Sequence, residues 1–194
     1  MFRPALVGCG VAVTMMLHGP VGAQTTQNPK PQAAKPPRAA AEILKQVPGR
    51  REFKHQMRID AKYDRFKDEV SYQLTITPPR SDEVRLTLMF SYTCPGQRCQ
   101  NLPDDAAIAT SAQPPGSLGD TIFLIDGKRL DVHQILNSTA AGSNTQLNVV
   151  PVADFLRIVN ANVVEGRVCG YEFTLSPEDL EALRYLASRM VPEK

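Results

Sequence analysis

The chain has 194 residues, with 22 basic side chains, 20 acidic ones and three histidines, for a formal net charge of +2. That near-balance argues against a basic footprint with which to displace counterions from nucleic acid, so no nucleic-acid partner is expected. The length suits a single core.

The first 23 residues run from one cation, Arg3, through the apolar stretch Ala5 to Leu17, past Gly19-Pro20, to Val21-Gly22-Ala23. This is the order of a secretory signal peptide. The apolar stretch is too short for the roughly 20 residues of a membrane-spanning helix, and the small side chains at Val21 and Ala23 suit a cleavage site before Gln24. Cys9, in Leu6-Val7-Gly8-Cys9, resembles a lipid-acceptor position but lies too early for an apolar segment to precede it. The expected mature chain is therefore exported, periplasmic or extracellular, with no transmembrane segment after cleavage.

Residues 24–41, QTTQNPKPQAAKPPRAAA, hold four prolines, no acid and no large apolar side chain, so they form an expected disordered, extended linker. A brief helical pattern over Glu42 to Val47 stops at Pro48-Gly49, and residues 42–194 form the single expected globular domain. The basic residues between Arg50 and Lys67 are interleaved with Glu52, Asp60 and Asp64, the pattern of a solvated face.

From Arg51 the hydrophobic period is two. Phe53, His55, Met57 and Ile59 alternate with polar residues; so do Val70, Tyr72, Leu74 and Ile76, and then Val84, Leu86, Leu88, Phe90 and Tyr92. These are half-buried strands. Thr121 to Ile125 and Arg129 to Ile135 flank Asp126-Gly127, the signature of a tight hairpin. Further strands are predicted near Ala106 to Thr110, Gln146 to Val150, Asn162 to Cys169 and Tyr171 to Leu175.

Two helices break the pattern. Pro151 opens a segment with Val152, Phe155, Leu156 and Val159 on one face. Ser176-Pro177-Glu178-Asp179 supplies a capping hydroxyl, a first-turn proline and two carboxylates ahead of Leu180, Leu183, Leu186, Ala187 and Met190. The fold class is mainly β with two helices, an antiparallel β-sandwich or curved sheet packed by the C-terminal helix.

After cleavage three cysteines remain. Cys94 and Cys99 enclose Pro95-Gly96, a turn able to bring them together in an oxidising compartment, so a disulfide between them is expected, with Cys169 a buried small side chain. Pairing of Cys169 with either one stays open, because spacing does not fix connectivity. The four residues between Cys94 and Cys99 are too many for a thioredoxin-type motif, and a zinc site built from Cys94, Cys99, Cys169 and His133 lacks knuckle spacing. No cofactor is expected.

Of the two remaining histidines, His55 lies on the apolar face of its segment. His133 follows Asp131 at a spacing that puts both on one face if a single strand holds them. No nucleophile elbow, phosphate loop or dinucleotide fingerprint occurs. The expected function is a noncatalytic envelope or secreted module that contacts an unknown protein or small ligand. The alternative is a hydrolytic enzyme using Asp131 and His133.

Overall fold

The structure, a computed structural model, describes residues 38–49, 52–78, 84–113, 120–140 and 143–191. The signal peptide expected over residues 1–23 and the linker over residues 24–37 lie outside them.

Two antiparallel sheets build the fold. The larger has the strand order β1 (Ile59–Asp64), β2 (Glu69–Ile76), β3 (Arg85–Pro95), β4 (Asp105–Gln113), β8 (Ser143–Pro151) and β7 (His133–Ala140). The smaller has the order β10 (Tyr171–Thr174), β9 (Val164–Val168), β5 (Ile122–Ile125) and β6 (Lys128–Asp131). Helices α1 (Arg38–Gln46), α2 (Val152–Asn160) and α3 (Pro177–Ser188) complete it.

The alternation read from the sequence is the alternation seen in burial. Leu86, Leu88, Phe90, Tyr92 and Cys94 of β3 point inward, while Thr87, Met89 and Ser91 stay partly accessible. The inner face of the large sheet is covered by α3, α2 and the small sheet together. Phe155 of α2 meets Phe90 with ring centroids 6.4 Å apart, and the Tyr92 hydroxyl donates to the Leu186 carbonyl oxygen of α3 at 2.9 Å. Burying so many aliphatic and aromatic side chains, each worth about 1.5 to 3 kcal/mol in transfer from water, is what offsets the ordering of the chain.

The N-terminus of α3 forms as its sequence dictates. Ser176 Oγ accepts from the Asp179 amide at 3.1 Å, and Asp179 Oδ2 accepts from the Ser176 amide at 2.7 Å, a reciprocal capping box with Pro177 in the first turn. Asp126 and Gly127 take φ of 49° and 76°, the left-handed pair that joins β5 to β6.

Gly166 has a different reason to be glycine. It lies between Phe123 and Phe173 in the strand register, and those rings meet edge to face at 5.9 Å. A Cβ on Gly166 would stand 2.3 Å from Phe173 Cζ, so any side chain there would displace that ring.

Three segments differ from the sequence reading. Helix α1 begins at Arg38, inside the stretch read as linker: Arg38-Ala39-Ala40-Ala41 has the highest helix propensity in that region, and it continues directly into the Glu42 to Val47 pattern. Residues 52–58, read as a strand, belong to neither sheet. They keep the alternation of partly buried Phe53, His55 and Met57 but lie across α3, with the Gln56 amide donating to Glu178 Oε1 at 3.1 Å. Period two reports an extended chain with one covered face, and a helix can cover that face as well as a strand can. The third difference is the run Arg129 to Ile135, which divides at Val132 into β6 of the small sheet and β7 of the large one.

Candidate functional site

One concavity among the described residues is the outer face of the small sheet, a groove of about 610 Å3. Alternation builds it. Phe123, Ile125, Leu130, Val164, Val168 and Phe173 turn inward, which leaves Ile122, Leu124, Arg129, Glu165, Arg167 and Glu172 on the other side. The register then fixes two rows. Glu172, Arg167 and Ile122 lie opposite one another across β10, β9 and β5, and Thr174, Glu165, Leu124 and Arg129 form the next row, extended to β6. Ile122 and Leu124 make an apolar floor. Arginine and glutamate of both signs stand beside it, with Arg167 directly opposite Glu172.

A second concavity, of about 650 Å3, lies where the end of α1 meets α2 and the β5–β6 turn. Its acid, Asp126, is already committed, accepting from the amides of Asn162 and Val163 at 3.0 and 2.9 Å. Arg157 there is paired with Asp154 at 2.9 Å.

Between the sheets runs a buried polar seam. Asn144, Gln146 and Asn148 share the inner face of β8, and the Thr121 hydroxyl donates to Gln146 Oε1 at 2.5 Å. Asn148 Nδ2 donates to the Ile108 carbonyl oxygen at 3.2 Å. Thr110 Oγ1 and Asn148 Oδ1 are buried with no partner among the described residues. Cys169 sits at the end of this seam, buried, with φ of 52° in the turn that joins β9 to β10. Burial pushes its thiol above the ordinary range, and a hydrogen bond with Asn144 partly opposes that. A buried thiol whose pKa is raised is a weakened nucleophile, and the hydrogen bonds of the seam tie β8 to the residues that lead into the small sheet.

Cys94 and Cys99 are joined as a disulfide, with Cα atoms 5.1 Å apart, and Cys169 is free. The bridged loop pins the end of β3 beside the β1–β2 turn, where the Gly96 amide donates to the Asp68 carbonyl oxygen at 2.6 Å. The Tyr63 hydroxyl donates to Asp68 Oδ1 at 2.7 Å, and that bond raises its pKa. Peptide mapping without reduction is expected to recover Cys94 linked to Cys99 and to find Cys169 alkylated only after unfolding. Reduction should lower stability by only about 1 to 2 kcal/mol, because the closed loop is short. A mixed bridge to Cys169 in properly exported protein would contradict this pairing.

The structure does not place Asp131 and His133 on one strand. Asp131 pairs with Ile122 in the small sheet and His133 with Val149 in the large one, and their side chains lie outside the described residues. His55 is partly buried under the ring of Tyr185, with centroids 5.0 Å apart. Among the described residues no three His, Cys, Asp or Glu side chains gather as a metal would need, and no helix is long and apolar enough to cross a membrane.

Sequence reasoning finds the strands that carry the groove but not the groove itself. Nothing local in Glu165-Gly166-Arg167 says that β9 will lie beside β5, more than 40 positions earlier. No protein-family model matches the chain, and no curated protein or solved structure matches it closely enough to show a relationship.

Proposed function

We propose that the chain is an exported, noncatalytic binding module, periplasmic or extracellular, that takes a short amphipathic peptide segment of another protein on the outer face of its small sheet. The observation that carries this reading is the composition of that groove. Ile122 and Leu124 offer a floor for one apolar side chain, and Arg129, Arg167, Glu165 and Glu172 surround it with both signs of charge. A surface of that kind suits a ligand that is itself mixed in charge around an apolar anchor, with the anchor supplying most of the affinity. Its volume lies within the range of about 300 to 1,000 Å3 usual for ligand sites.

Export is supported by the order of the first 23 residues and by the disulfide-bonded cysteine pair. The hydrolytic alternative rested on a carboxylate and an imidazole sharing a strand face. Asp131 and His133 belong to strands of different sheets, so that alternative rests on their closeness in sequence alone.

The test is selection of short random peptides on the immobilised domain, followed by affinity measurement on Leu124→Lys and Arg167→Glu. Enriched peptides should carry an apolar residue flanked by both charges. Binding should weaken by about tenfold or more in Leu124→Lys, or ~1.4 kcal/mol, with the unfolding midpoint unchanged. Failure to enrich any sequence, or binding indifferent to both substitutions, would overturn the assignment.

A further inference from the structure

The two sheets end in four edge strands, and three of them are protected. β6 and β10 have four residues each, and β1 carries Asp60, Lys62 and Asp64, with Asp60 also paired to Arg58 at 2.7 Å. β7 is the exception. Its eight residues, His133–Ala140, contain no Lys, Arg, Asp, Glu or Pro, and no strand among the described residues pairs with its outer side. Ile135 and Leu136 stand on it 52% and 51% exposed. A bulge between Gln134 and Leu136 perturbs only the start; from Leu136 to Ala140 the pairing with β8 is regular.

We propose that β7 is the docking edge for β7 of a second copy of this chain, paired antiparallel about a two-fold axis at Ser138 so that the large sheets of the two copies run together. The strand is complementary to itself in this register. Leu136 meets Ala140 of the second copy, Asn137 meets Thr139, and Ser138 meets Ser138: apolar on apolar, amide on hydroxyl, hydroxyl on hydroxyl. No charge on the strand is brought against its own kind. Pairing about a two-fold also closes after two copies, whereas adding β7 to β1 of the next copy would propagate without end and would meet the charges of β1. The chain's own linker is a poor occupant, because residues 24–37 supply four prolines and no large apolar side chain to cover Ile135 and Leu136.

The test uses two substitutions at the exposed Ser138, in protein exported by a bacterial host, because Asn137-Ser138-Thr139 has the form of an N-glycosylation acceptor and such a host leaves it unmodified. Wild type should show twice the monomer mass by sedimentation as concentration rises, with slowed amide exchange along β7. Ser138→Lys places like charges on the axis and should stay at monomer mass with an unchanged circular dichroism spectrum and unfolding midpoint. Ser138→Cys should form a reducible covalent dimer on oxidation. A wild type that keeps monomer mass at its highest soluble concentration while Ser138→Cys fails to cross-link would overturn the proposal. So would a Ser138→Lys variant that dimerises as wild type does, since the contact would then lie elsewhere.

Discussion

Leu183→Ala is expected to destabilise the domain by about 2 to 4 kcal/mol in urea unfolding, with the slope of the transition unchanged. The side chain is fully buried in the middle of α3, where it shares the core with Leu180, Leu186 and Met190. Alanine keeps the helix and removes three carbons, so the loss combines transfer energy with a cavity. The helix ends cannot relax to fill it: the capping box fixes one end, and the bond from Tyr92 to the Leu186 carbonyl oxygen holds the other against the large sheet. A loss below about half a kcal/mol, the scale of ordinary surface changes, would mean that α3 is peripheral.

Phe155→Ala should cost more, about 3 to 5 kcal/mol, because the largest apolar group of α2 is lost from a fully buried position. Phe155 is also the ring through which α2 reaches Phe90 at the centre of the large sheet. A double-mutant cycle of Phe155→Ala with Phe90→Leu should therefore be non-additive by about 0.5 kcal/mol or more, as neighbours that share a cavity are. Strict additivity would show that the two rings act independently and that α2 is held from elsewhere.

Most of the strands were legible because their faces differ: where one side chain in two is apolar, as from Leu86 to Tyr92, only an extended chain with one covered side fits. The cap of α3 was legible because its residues act within one turn. What covers a strand was not. The period of Phe53, His55 and Met57 is the same whether a strand covers them or, as here, Tyr185 of α3 meets the first two and the core the third, and the run Arg129 to Ile135 gives no local sign that it changes sheets at Val132. The groove depends on a register between distant strands, and Arg167 opposite Glu172 or Ile122 becomes visible only once that register is set. The disulfide was legible for the opposite reason, since both cysteines and the turn between them lie within six residues.

The segment laid across α3 also bears on how the domain carries a load. Any tension applied through the residues before Arg38 enters first at α1, which is tied to α2 by Asn160 Nδ2 donating to the Gln46 carbonyl oxygen at 2.8 Å. It next reaches residues 52–58. Among their contacts are those of Phe53 and His55 with the ring of Tyr185, of Met57 with the core, and the hydrogen bond from the Gln56 amide to Glu178. In chain order these contacts come ahead of the antiparallel ladder between β1 and β2. A pull from the N-terminal side therefore loads this segment before it loads either sheet or the groove on the smaller one.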